Sequence, residues 1–168
     1  MKNILVLLIL LITYSSFSQN DYDTKTSNYY FIRHAEKDKS DSADRNPHLT
    51  DKGHLRAQKW AEVFKNISFD AIYSTDFFRT RETALPSASK DKIELTIYNH
   101  KSLKIEKFLK ETKGKNVLVV GHSNSTPSFV NSILKKNKYK EIEHSNNGNL
   151  YIVTVNSNVV TDKLLLIN

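Results

Sequence analysis

Two short apolar runs, each stopping at a histidine, constrain the fold of this chain more than any other feature. Tyr29-Tyr30-Phe31-Ile32 leads into Arg33-His34, and Val117-Leu118-Val119-Val120 leads into Gly121-His122. Unbroken aromatic and β-branched runs of this length read as strands buried on both faces. In an open parallel sheet the carboxyl edge of the strands is where ligands bind. Both histidines are therefore expected at that edge, and an arginine beside one of them points to chemistry on an anion.

The first residues stand apart. Met1-Lys2-Asn3 is a short basic start, Ile4 to Ile12 is continuously apolar, and Thr13 to Ser18 is rich in small residues. This is the layout of a secretory signal peptide over residues 1–18, cleaved after Ser18. The apolar run is well short of the roughly 20 residues a spanning helix needs, which disfavours an uncleaved anchor and any stable membrane insertion after cleavage. A loose mature N-terminus over 19–28 and one domain over 29–168 are expected. The chain has no cysteine, which excludes a lipoprotein anchor, a disulfide, a thiolate metal site and a cysteine nucleophile. An exported protein without disulfides fits a bacterial envelope, periplasmic or extracellular. Lys and Arg number 25 against 18 Asp and Glu, a formal charge of +7. That balance suits an anionic substrate, but it is spread along the chain as on a solvated surface. No basic patch interleaved with aromatics calls for nucleic acid.

Strand-like and helix-like segments alternate. After the strand Tyr29–Arg33 and a polar loop Lys37–Pro47, Thr50 is a natural N-cap for a helix, with Leu55, Trp60, Val63 and Phe64 expected on one inward face. A strand Asp70–Tyr73 runs into Ser74-Thr75-Asp76 and a helix that Pro86 is expected to end. A strand Ile93–Tyr98, a helix Leu103–Lys110 closed by Gly114, the strand into His122, and a helix Pro127–Lys135 come next. Tyr151–Val155 and Leu164–Ile167 are expected to form a hairpin turned at Asn156-Ser157-Asn158. Such alternation predicts an α/β chain, a three-layer α/β/α sandwich with a mainly parallel central sheet.

Within Ser74-Thr75-Asp76-Phe77-Phe78-Arg79, an arginine enters a helix just beyond a strand end, so Arg79 is expected near the two histidines. A tetrahedral phosphate needs several fixed donors, and guanidinium groups can pair two oxygens at once. A neutral imidazole is a competent nucleophile toward phosphorus, with arginines neutralising the transferred group.

These motifs resemble the histidine phosphatase superfamily, also called phosphoglycerate mutase-like. The strand-terminal Arg33-His34, the segment Ser74…Arg79…Thr83-Ala84, the strand-terminal Gly121-His122 and the helix start Leu49-Thr50…Gly53 match its marks in order and spacing. The resemblance implies a phosphoglycerate mutase-like fold and a two-step, metal-independent phosphatase with no cofactor. His34 would carry a transient phosphohistidine, Arg33 and Arg79 would hold the phosphoryl oxygens, and His122 would complete the pocket. Flanking cations should keep His34 unprotonated. Ser123 is a further substrate-binding candidate through its N–H or hydroxyl.

Two departures matter. Ala35 stands where many relatives carry glycine. Numerous relatives place a carboxylate just after the third strand, whereas Leu95–Lys101 has none, with Asn99 and His100 near that point. Glu36 is the substitute general acid on this reading, with an ordinary ion-pair carboxylate as its other role. A site without a strong acid would favour good leaving groups such as phosphohistidine, acyl phosphates or aryl esters. The short chain leaves no room for a cap domain, so the pocket is expected to be open to a small phosphorylated molecule or a phosphoprotein, as in compact phosphohistidine phosphatases. Export argues against a cytoplasmic signalling role and against mutase activity.

Three rivals remain. A catalytically weak phosphate-binding module would keep the same pocket. A metal site would use His34, His122 and a carboxylate. Gly121-His122-Ser123-Asn124-Ser125 partly resembles a serine-hydrolase elbow, but only His144, crowded behind Glu141 and Glu143, comes after Ser123. His48, His54, His100 and His144 read as surface or structural, and Arg81 would replace Arg79 if the helix began half a turn later.

Overall fold

The computed structural model describes residues 25–167; the segment read as a signal peptide lies outside them. Six strands form one mixed sheet: β1 (Thr26–Arg33), β2 (Ala71–Thr75), β3 (Leu95–Tyr98), β4 (Asn116–Gly121), β5 (Asn149–Asn156) and β6 (Val159–Leu166). Their order is β3-β2-β4-β1-β5-β6. The first four in that order are parallel, and β5 and β6 add an antiparallel hairpin. The expected α/β sandwich with a mainly parallel sheet is thus the fold observed.

The two apolar runs are the central strands. β1 and β4 pair in parallel register from Asn28–Asn116 to Arg33–Gly121. Phe31, Ile32, Val117, Leu118 and Val120 are fully buried because each strand is covered on both faces. Burying such a side chain stabilises the fold by roughly 1.5–3 kcal/mol. β1 begins at Thr26, so residues 26–28 belong to the sheet rather than to a loose end.

One face packs on α1 (Asp51–Val63) and α2 (Phe78–Asp91), through Trp60, Phe64, Ala84 and Ala88 against Ile32, Ile72, Leu118 and Val120. The other packs on α3 (Ile105–Glu111) and α4 (Ser125–Leu134), through Phe108, Phe129, Val130 and Ile133 against Tyr29, Phe31, Val117 and Val119. Among the described residues no helix is long and apolar enough to cross a membrane.

Three local expectations needed correction. In α1 the inward stripe is Gly53, Ala57 and Trp60, continued by Phe64, while Leu55 is 66% exposed and Val63 faces outward. The stripe is set by small residues that let the helix approach, not by its leucine. Gly53 shows why: a Cβ there would stand 2.2 Å from the Glu36 carbonyl oxygen. Pro86 does not end α2, which runs on to Asp91. Proline forfeits the bond to the Glu82 carbonyl, but Ser87 and Ala88 beyond it are buried against the sheet, and the helix stops only at Lys92 in the left-handed region. The third strand starts at Leu95 rather than Ile93.

Candidate active site at the carboxyl edge of the sheet

Sheet register assembles the site. The last β1–β4 pair is Arg33–Gly121, β2 meets β4 at Ser74–Val120, and β2 meets β3 at Thr75–Tyr98. All four parallel strands therefore end at one level. The residues just beyond those ends converge there: His34, His122, Asp76 onward, and Asn99-His100.

His34 and His122 meet edge to face with ring centroids 5.6 Å apart. The His34 backbone N–H donates to the Gly121 carbonyl at 3.0 Å, and its own carbonyl accepts from Asn147 Nδ2 at 2.9 Å. Nδ1 of His34 lies 2.7 Å from the Ala35 carbonyl oxygen. A carbonyl only accepts, so Nδ1 carries the proton and Nε2 of the neutral ring is left with its lone pair. Burial, reinforced by the charges of Arg33, His122 and Arg79, lowers the His34 pKa from 6.5 to about 3, against a weaker opposing pull from the Ala35 carbonyl. His122 is lowered to about 4, first by burial, then by Arg79, His100, Arg33 and Lys37.

Arg33 is almost fully buried, and Nη1 donates to the carbonyls of Glu143, His144 and Asn146 at 3.0, 3.2 and 2.9 Å. Arg79 sits in the first turn of α2 with its guanidinium 4.3 Å from the Phe77 ring centroid. Nε of Arg33 and both Nε and Nη1 of Arg79 are buried without a hydrogen-bond partner. Leaving a buried donor unpaired costs about 1–3 kcal/mol, and three of them beside an electron-rich imidazole make a ready receptor for an oxyanion. Burial lowers the pKa of both arginines, yet both guanidiniums stay charged.

Thr75 and Thr83 tie the helices to the histidines. Thr75 Oγ1 donates to Thr80 Oγ1 at 3.0 Å, leaving its oxygen to accept from Nε2 of His122, also at 3.0 Å. Thr83 Oγ1 accepts the Ala35 N–H at 2.9 Å and donates to the Arg79 carbonyl at 2.6 Å. The Ala35 methyl, where many relatives have glycine, is fully buried against Leu49 and Ala57, which accounts for its acceptance.

The other sequence candidates have partners of their own, although Glu36 lines the same cleft as Arg33 and His34. Both oxygens of Glu36 are held by Arg56 Nε at 2.9 and 2.8 Å, with Lys52 Nζ at 3.8 Å, and its pKa is lowered because those cations outweigh its burial. That is the ion-pair arrangement rather than the raised pKa a general acid wants. Ser123 donates its hydroxyl to Glu141 Oε1 at 2.9 Å, so it has a carboxylate partner and no histidine, unlike a hydrolase serine. Arg81 pairs with Asp76 at 3.1 Å, and Glu82 reaches across to His48 and the Leu49 N–H. Among the described residues no group of three or more His, Cys, Asp or Glu side chains is placed to hold a metal ion.

Besides Thr75, two residues at the site escaped the sequence reading. His100 meets His122 edge to face with centroids 5.6 Å apart. Lys37 lies close enough to Arg33 and Arg79 for their charges to lower its pKa, after the larger effect of burial. Its cleft, about 370 Å³, also takes in Arg33, His34, Lys39 and Lys52. A second cleft of about 390 Å³ is lined by His100, Leu103, Ile105 and Phe129 with Asn124 and three serines of α4. The sequence signals for His100 were its position just past a predicted strand end and its closeness to the point where many relatives carry a carboxylate.

Residues 29–104 match the model of the histidine phosphatase superfamily, branch 1. No curated protein matches the chain at the sequence level. Solved structures share the fold. A protein assigned as alpha-ribazole-5'-P phosphatase from Escherichia coli is 16% identical over 84% of this chain and 98% of its own, with a TM-score of 0.67. A histidine-to-alanine mutant of phosphoserine phosphatase from Entamoeba histolytica, in complex with phosphoserine, is 16% identical over 76% and 89%, with a TM-score of 0.59. A protein assigned as the phosphohistidine phosphatase SixA of Agrobacterium tumefaciens is 15% identical over 82% and 97%, also at 0.59.

Proposed function

We propose, because residues 29–104 match the histidine phosphatase superfamily model, that this chain is a phosphatase that hydrolyses a phosphomonoester or related phosphoryl compound through a phosphohistidine on His34. The observation that carries this reading is the His34 tautomer: its Nδ1 proton is held by the Ala35 carbonyl and Nε2 is free, while Arg33 and Arg79, whose charges act on the ring, keep three buried nitrogens unpaired.

In the first step the Nε2 lone pair attacks phosphorus as the P–O bond to the leaving group breaks. Arg33 and Arg79 take the non-bridging oxygens through the donors they hold unpaired, and His122 closes the pocket from the β4 side. Fixed donors aimed at developing charge need no reorganisation during the reaction. In the second step water attacks phosphorus, the N–P bond breaks, and His34 is restored. The apolar run after Lys2 supports an exported site of action, and the clefts open along this edge support a wide range of substrate sizes. The chemistry draws on side chains alone, with no metal or cofactor.

The test is an aryl phosphate incubated with the purified protein, with and without chelator. Phosphate release, through an acid-labile and alkali-stable phosphoenzyme that is lost in His34→Ala, is expected. Phosphate release that persists in His34→Ala would overturn the reading.

A further inference from the structure

His100 stands on the opposite flank of His122 from the cationic cleft. It comes just after β3, whose last residue, Tyr98, pairs with Thr75 at the level where the β1 and β4 histidines emerge. Among the described residues neither of its ring nitrogens is hydrogen-bonded, whereas His34 and His122 each have one nitrogen engaged. The half-buried His100 ring is thus held by packing against His122 and is free to exchange a proton with whatever lies beside it.

The cleft beside it has a different character from the lysine-lined one. Its floor is Leu103, Ile105 and Phe129, and its α4 wall presents Ser125, Ser128 and Ser132, spaced three and four residues apart and so on one helix face. No acidic side chain, lysine or arginine lines it. His100 and Ser125 both touch His122, since Ser125 Oγ accepts the His122 backbone N–H at 3.1 Å. Two residues that line the cleft therefore adjoin His122.

We propose that His100 is the proton donor to the leaving group, and that this cleft holds that group, an uncharged, hydroxyl-bearing alcohol. The inference rests on the phosphatase reading and assigns its missing acid. As His34 Nε2 bonds to phosphorus, the P–O bond breaks and the departing oxygen takes the proton of the His100 imidazolium, releasing a neutral alcohol. Neutral His100 then accepts a proton from the water that attacks phosphorus, and the N–P bond breaks. Burial, with Lys101, lowers the His100 pKa, and a bound phosphoryl dianion beside the ring opposes that shift and favours the protonated form at the start of this cycle. A site built in this way handles alkyl esters, whose alkoxides leave poorly without a proton, and is not confined to activated phosphates.

His100→Ala and the wild type are compared on a nitrophenyl phosphate and on glycerol phosphate, reading kcat/KM, which reports phosphorylation of His34 alone. General acids contribute about 10²–10⁴-fold, so the loss on the glycerol ester is expected to exceed that on the nitrophenyl ester by on the order of 100-fold or more. Added imidazole should restore part of the glycerol ester rate. Equal losses on both esters, or no imidazole rescue, would overturn the role of His100 while leaving a phosphohistidine in place. If the wild type forms no phosphohistidine from either ester, the phosphatase reading falls and this inference with it.

Discussion

Thr75 Oγ1 stands 3.0 Å from Nε2 of His122, and its own proton is spent on Thr80, 3.0 Å away. The hydroxyl is therefore an acceptor toward the imidazole and fixes both its tautomer and its tilt. His122 leaves the sheet at β4 and Thr75 at β2, so the bond crosses between neighbouring strands at the edge where the site forms.

Thr75→Val removes that acceptor while keeping the side-chain volume. We expect kcat/KM on a phosphate ester to fall about 10–100-fold, the range that small misplacements of a reacting group produce. Thermal unfolding should shift by only a few degrees. A wild-type rate in a folded Thr75→Val protein would show that His122 needs no such support.

Arg79 should separate activity from stability. Its Nε and Nη1 are buried and unpaired, and its charge bears on both histidines. Arg79→Leu is expected to lower kcat/KM by roughly 10³-fold, a loss of about 4 kcal/mol in transition-state binding. It should leave the Tm equal to or above the wild type, because unsatisfied donors are removed with the charge. A marked fall in Tm would mean that the stacking of the guanidinium on Phe77 outweighs their cost.

Acid should destabilise the fold through the same histidines. His34 is held to a pKa of about 3 and His122 to about 4, below the ordinary 6.5 of an unfolded chain. Between those values the unfolded state binds more protons, so stability is complete above pH 6.5 and is lost as pH falls toward 4 and 3. Tm measured at pH 7.5 and pH 4.5 should drop less in His34→Gln than in the wild type. Equal drops would mean that His34 titrates like an exposed histidine.

Gly53→Ala offers a stability test remote from the reaction. An alanine inside a helix is ordinarily favourable by up to about 1 kcal/mol. Here its methyl would press on the Glu36 carbonyl oxygen, which also accepts the Thr50 N–H at 2.9 Å. Chemical denaturation is expected to show a net loss of about 2 kcal/mol, within the usual cost of overpacking.

The parts of this site legible in the sequence are those marked by the end of a strand. Arg33-His34 and Gly121-His122 are announced by the apolar runs before them, and Arg79 by the strand-to-helix turn ahead of it. Thr50 capping Gly53 N–H was equally readable, because a cap is a local device. The residues that escaped depend on which strands become neighbours. Thr75 reaches His122 only because β2 lies beside β4, and His100 does so only because β3 ends level with β2. Lys37 turns back over the arginines because residues 37 and 49 bridge across the loop beyond β1. Leu55 and Pro86 misled for a related reason: the close approach of α1 to the chain at Glu36, and the burial of α2 beyond its proline, are tertiary facts that override local preference.

The Arg33–Gly121 pair also limits how the molecule can vary. A residue inserted into either central strand would turn every later side chain over to the opposite layer, pushing core aromatics toward the wrong helices and swinging one imidazole out of reach of the other. Length changes should survive in the β5–β6 hairpin turn, whose tip carries no part of the site. From Thr26 to His34 and from Asn116 to His122, the spacing of the chain is itself a catalytic requirement.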